Sequence, residues 1–96
     1  MQYLLLIYDN EKRWSPTYDP AELKEYRDFG QEFEKEIKGG NALLPTGEAT
    51  TVRLREGKRL ITDGPFAETK EQLSGYYLIE ANDLDRALDI AAKIPG

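Results

Sequence analysis

The chain opens on an apolar run, Tyr3 to Tyr8, closed by the polar Asp9-Asn10-Glu11. A run of that length suits a strand. Alternation sends Tyr3, Leu5 and Ile7 to one face and Leu4, Leu6 and Tyr8 to the other, so both faces are apolar. A polar connector containing Trp14 and Pro16 follows, with Trp14 expected as a plug against the core. Asp19 then stands as an N-cap, Pro20 fits the first helical position, and Glu22 is spaced as the acidic member of a capping box. Leu23, Tyr26, Gly30, Phe33 and Ile37 recur at helical spacing, which predicts a long helix that Gly39-Gly40 stops. Glycine costs helix propensity, so Gly30 on that stripe predicts close packing against a strand.

Beyond the helix, Ala42 to Leu44 reads as extended, interrupted by Pro45 and Gly47. Thr51 to Arg55 alternates, with Val52 and Leu54 on one face and Thr51, Arg53 and Arg55 on the other. Glu56-Gly57-Lys58 is a turn and Arg59 to Thr62 the returning strand. Asp63-Gly64-Pro65-Phe66 and the polar stretch Ala67 to Gln72 lead into a second strongly apolar strand, Gly75 to Ala81. Its Tyr77 and Ile79 face one side, and Tyr76 and Leu78 the other. Asn82 or Asp83 caps a second helix with an inner stripe of Leu84, Ala87, Leu88, Ala91 and Ile94, which Pro95-Gly96 ends.

The order strand, helix, hairpin, strand, helix predicts an α+β fold of ferredoxin-like type with an inserted β-hairpin. A split β-α-β arrangement puts both helices on one face of the sheet. The first and last strands are greasy on both faces, so the uncovered face predicts an interface. A second copy packed sheet against sheet satisfies it, giving a homodimer and a dimeric α+β barrel. Residues 1–96 read as a single domain, and a ferredoxin-like order expects one further strand after the second helix.

Composition narrows the chemistry. Cysteine and histidine are both absent, so no disulfide, thiolate metal site or imidazole proton shuttle is available. Acid–base work would fall to Asp, Glu, Lys or Tyr. A net charge of -5 disfavours direct nucleic-acid binding. The opening apolar run is too short to span a membrane and lacks the marks of a signal peptide, so a cytoplasmic location is expected. The acids of the first helix, Glu22, Glu25, Asp28, Glu32 and Glu36, read as its solvated face, and neither a metal nor a cofactor is expected.

The nineteen residues from Asp63 to Ala81, DGPFAETKEQLSGYYLIEA, resemble the signature of the DGPF branch of the YCII-related proteins. Met1 to Tyr8, Leu44-Pro45-Thr46-Gly47-Glu48 and Asp83-Leu84-Asp85-Arg86-Ala87 resemble that family's opening strand, second segment and closing helix. The resemblance implies a ferredoxin-like fold in a dimeric barrel, with a closing strand beyond residue 96. Some relatives resemble enzymes that use a His–Asp pair, which a chain without histidine cannot supply. Members of the branch are similar to proteins encoded beside extracytoplasmic-function sigma factors, which implies a regulatory partner.

Candidate sites gather around the DGPF corner. Pro65 fixes its own φ and restrains Gly64, while Asp63 suits a turn; turn chemistry alone accounts for these residue types. The further reading is a pocket rim of Tyr8, Asp63, Gly64, Pro65 and Phe66, with Glu68, Thr69 and Lys70 as a lid or dimer-contact loop. Tyr8, Tyr76 and Tyr77 suit a pocket wall or a dimer face. Arg53, Arg55, Lys58 and Arg59 cluster on the hairpin, where charge guards an edge or meets an anion. Two functional readings follow. One is a small-molecule-binding or regulatory module, with a sigma factor as partner. The other is a cofactor-free lyase or isomerase acting on a small cyclic or aromatic compound, with Asp63 as base and Lys70 as the electrophilic or anion-holding group.

Overall fold

The computed structural model describes residues 1–13 and 20–95. The expected Asp19 cap and Trp14 plug lie outside them. Among the described residues the order is β1 (Gln2–Asp9), α1 (Pro20–Glu32), β2 (Ile37–Ala42), β3 (Thr50–Arg55), β4 (Lys58–Asp63), β5 (Gln72–Glu80) and α2 (Leu84–Ala92). Strand β5 lies between β1 and β2 and runs antiparallel to both. Hence β1 and β2 are parallel to each other and flank an inserted strand, the split β-α-β arrangement. Strands β3 and β4 form a separate two-stranded sheet. The α+β architecture is compatible with a ferredoxin-like fold carrying an inserted hairpin.

Both helices pack on one sheet face. Phe29 of α1, Phe33 in the turn that follows it, Ala87 and Ile90 of α2, and Ile79 and Ala81 make the buried core. Tyr3, Leu5, Ile37, Tyr77 and Ile94 pack against it. The Phe29 ring lies 5.2 Å from both Phe33 and Tyr77 in tilted geometry, an arrangement favoured by the ring quadrupoles. Asp83 caps α2 by accepting from the Arg86 amide at 2.9 Å, which settles the choice between Asn82 and Asp83.

Several expectations are corrected here. Helix α1 ends at Glu32, so Ile37 is a strand residue and Gly39-Gly40 lie within β2 rather than stopping the helix. The cause is a glycine-dependent strand pairing. A bulge between Ile37 and Gly39 shifts the β2–β5 register, and Gly40 then lies directly against β5. A Cβ on Gly40 would sit 2.6 Å from the Tyr76 carbonyl oxygen. By contrast, a Cβ on Gly30 would meet nothing within 4 Å, so the close packing expected there is absent. The buried side of α1 turns on Phe29, continued by Phe33 just past its end, while Leu23 is exposed. On α2, Leu84 and Leu88 face outward and Ile90 takes the core position, because the buried stripe runs through Ala87, Ile90 and Ile94.

An ion pair joins the start of β2 to α2. Arg86 donates to Glu36 at 3.0 Å and lies over the Phe33 ring at 5.5 Å. The Arg86 hydrogen bond holds the Glu36 carboxyl below its ordinary value. A depressed folded pKa gives stability that is complete above the unfolded value of about 4.3 and is lost as pH falls through the folded one. In an NMR titration Glu36 should therefore titrate below the ordinary glutamate value, and Arg86→Met should raise its midpoint. An unchanged Glu36 midpoint in Arg86→Met would contradict that account.

The two glycines give a paired stability prediction. Gly40→Ala should destabilise the chain by about 1–3 kcal/mol through backbone overpacking. Gly30→Ala should stabilise α1 by up to ~1 kcal/mol. Urea unfolding of both variants measures the contrast; equal effects would show that the β2–β5 approach is not tight.

Candidate functional site

The sheet face away from the helices is the most prominent surface. Leu4, Leu6 and Tyr8 project from β1 with 58%, 51% and 52% of their surface exposed. Register places Leu78 opposite Leu4, and Tyr76 opposite Leu6. From β2, Gly39 lies opposite Leu78 and Asn41 opposite Tyr76. Asn41 donates from Nδ2 to the Tyr76 hydroxyl at 3.2 Å. The face is thus apolar with a polar mark on one side.

Tyr8 sits where the β1–β5 ladder is broken. The register shifts between Ile7 and Tyr8, so that Ile7 faces Gly75 and Tyr8 faces Leu73. The extra residue, Ser74, donates its hydroxyl to the Ile7 carbonyl at 3.1 Å, and its own carbonyl accepts from the Leu43 amide at 2.8 Å. Bulges re-aim side chains, and this one, on β5, lies beside a knot of polar loops near the end of β1. There the Gln72 side chain accepts from the Glu11 amide at 3.1 Å and donates to the Thr69 carbonyl at 2.6 Å. Glu11 in turn accepts from the Thr46 amide at 2.5 Å. Three segments distant in sequence are fixed at one end of the sheet.

The DGPF corner leaves β4 and is pinned to β3. Gly64 adopts φ 101°, a conformation that side-chain-bearing residues rarely take. Its amide donates to the Ala49 carbonyl at 2.7 Å, and its carbonyl accepts from the Thr51 hydroxyl at 2.8 Å. Gly64 and Pro65 are half-buried, whereas Asp63 and Phe66 are exposed. The Arg53 guanidinium lies 4.9 Å from the centre of the Phe66 ring. The structure thus provides the rigid corner and leaves Phe66 presented outward, held by an arginine.

Glu68, Thr69 and Lys70 are exposed. The Thr69 hydroxyl donates to the Glu71 carbonyl and Gln72 holds the Thr69 carbonyl, so this loop is tied to the Tyr8 end of the sheet. Asp63 and Lys70 form no ion pair with each other or with any other of the described residues. Two tyrosines outside this face are held neutral. Burial raises Tyr77, and burial followed by the nearby Glu22 carboxylate raises Tyr26, whose hydroxyl donates to the Pro95 carbonyl at 3.2 Å. Sequence reading named the tyrosines but missed Asn41, Glu11, Thr46 and Gln72. A side chain's pairing across strands has no signature in local sequence. No group of Asp or Glu able to hold a metal ion occurs among the described residues.

The fold and this face define a small split β-α-β domain with one open sheet surface. The family model for the YCII-related domain matches residues 1–96. The chain is also 40% identical over 99 residues to an uncharacterised protein of Rhizobium meliloti (strain 1021), an alignment covering 98% of this chain and 80% of the relative. The chain belongs to the YCII-related domain family. No helix among the described residues is long and apolar enough to cross a membrane.

The corner geometry makes a prediction. Gly64→Ala should cost about 1–3 kcal/mol because alanine must enter a glycine conformation. Thr51→Val, which removes one hydrogen bond to the same residue, should cost only ~0.5–1.5 kcal/mol. Thermal unfolding checks the order; a tolerated Gly64→Ala would mean that the corner is not pinned.

Proposed function

We propose that this chain is a dimeric binding module of the DGPF branch, in which a second copy covers the open sheet face and the enclosed space holds a small cyclic or aromatic ligand. One observation carries the reading: Leu4, Leu6 and Tyr8 stand exposed on the face opposite the helices. The shape of the chain supports it. The radius of gyration is 15.9 Å, against about 12.5 Å for a compact domain of this length. Accessible surface is 7765 Å², roughly 2,100 Å² above what a monomer of this mass ordinarily exposes. The three-stranded sheet carries helices on one side only, and the chain is 19 Å through its thinnest dimension. A second sheet laid on it makes the dimeric α+β barrel.

Within that barrel Leu4, Leu6 and Leu78 supply apolar walls, and Tyr8 and the Asn41–Tyr76 pair supply polar contacts. The DGPF corner, with Asp63, Gly64, Pro65 and Phe66, and the Glu68-Thr69-Lys70 loop form the rim. An extracytoplasmic-function sigma factor is the protein partner that the family resemblance brings to this reading. A strand paired along the outer edge of β1 would complete the ferredoxin-like order. The location proposed is cytoplasmic.

Leu4→Asp with Leu6→Asp should convert the protein from dimer to monomer at micromolar concentration in sedimentation velocity, while far-UV circular dichroism stays unchanged. A wild-type chain that sediments as a monomer throughout would remove the barrel. A thermal-shift screen with small aromatic and cyclic compounds tests the ligand. Tyr76→Phe should weaken any compound found by about 5–10-fold, the loss of one hydrogen bond. A screen in which nothing shifts the dimer's unfolding would count against a ligand-binding role, and purified sigma factor can be tested on the same dimer.

A further inference from the structure

The hairpin of β3 and β4 turns its apolar face outward. Tight pairing runs from Thr50 opposite Asp63 to Arg55 opposite Lys58, closed by Glu56 and Gly57, both at positive φ. This is the two-residue turn whose twist suits a hairpin. Thr51 and Arg53 point back to their own chain, where they hold Gly64 and Phe66. The opposite face carries Val52, Leu54 and Ile61, exposed at 57%, 69% and 58%. Val52 and Ile61 are direct cross-strand partners. An isolated two-stranded sheet is marginal in water, and this one half-buries Thr51 and Arg53 while Val52, Leu54 and Ile61 stand exposed on the face they share with Arg59, and Leu60 stands exposed on the other.

We infer that the hairpin is an exchange arm whose Val52–Leu54–Ile61 face lies on the body of the second copy. The inference rests on the proposed dimer and adds to it a second contact, separate from the sheet face. Two observations choose the second copy as the occupant. The first is area. Three strands about 4.8 Å apart and some 26 Å long offer a face of roughly 400 Å² in plan. A stable interface takes about 800 Å² of accessible surface from each partner, and the exposed hairpin face adds to what the sheet face offers toward it. In a two-fold dimer each arm contributes its contact twice. The second is charge. The hairpin holds Arg53, Arg55, Lys58 and Arg59 against Glu56 and Asp63, so the net charge of -5 divides into +2 on the arm and -7 on the rest of the chain. Arms repel one another and are drawn to the acidic body of the other copy, which makes the contact arm to body.

The absence of cysteine makes the test clean. Ile61→Cys, labelled with a benzophenone maleimide on nitrogen-15 chains and mixed with unlabelled chains, should on illumination join labelled arm peptides to unlabelled body peptides. Exclusive capture within one chain, or of arm by arm, would overturn the inference. In parallel, Val52→Asp with Ile61→Asp should weaken dimerisation at least tenfold. Lys58→Glu with Arg59→Glu should weaken it several-fold at low salt, with the difference shrinking at high salt. A dimer whose dissociation constant stays within twofold in both double variants would overturn the arm while leaving the sheet-face dimer standing. A wild-type chain that is monomeric at every concentration would remove both.

Discussion

Two amphipathic helices can cover one face of a three-stranded sheet, and two strands of this sheet, β1 and β5, are apolar on both. The helix face is settled by Phe29, Phe33, Ala87 and Ile90 closing over Ile79. No third layer exists among the described residues to settle the other. Burying a Leu or Ile side chain is worth about 1.5–3 kcal/mol, so the uncovered Leu4 and Leu6, with Leu78 beside them, represent stabilisation that the isolated chain does not collect. A core of six buried side chains among the described residues is small for a chain of this length.

The position of the candidate site depends on irregularities in the ladder rather than on the regular strands. The bulge at Ile7–Tyr8 frees Ser74, and Ser74 bonds both neighbouring segments. A second bulge, at Ile37–Gly39, brings Gly40 under Tyr77 and sets Asn41 opposite Tyr76. Without these two shifts the polar marks on the open face would fall elsewhere. Around them, Glu11, Thr46, Thr69 and Gln72 hold the loops at one end by hydrogen bonds instead of apolar packing.

Alternation within β1 and β5 made both sheet faces readable from sequence, and the Asp83 cap was readable because its chemistry is local. The helix stripes were legible only in part. Leu84 and Leu88 fit a helical period as well as Ile90 does, and only the angle at which α2 meets the sheet decides between them. Gly39-Gly40 carried a signal open to two meanings, since glycine pairs both end helices and mark bulges. The distance from Gly40 to the Tyr76 carbonyl, which resolves it, belongs to a strand more than thirty residues away. The DGPF segment was recognisable as a turn, yet its anchorage to Ala49 and Thr51 depends on the hairpin register.

Covering the open face has a chemical consequence that favours a ligand over dry packing. On that face the Tyr76 hydroxyl already has Asn41 as a partner. The Tyr8 hydroxyl has none among the described residues and is at present hydrated by exposure. Enclosing a hydroxyl without a hydrogen bond costs about 1–3 kcal/mol, comparable to the gain from burying a leucine beside it. A second sheet made only of leucines would therefore return at Tyr8 much of what it gained at Leu6. A polar atom on a bound molecule, or one brought by the second copy, removes that penalty and leaves the apolar gain intact. In the proposed dimer, the space beneath that surface would therefore contain at least one hydrogen-bonding group.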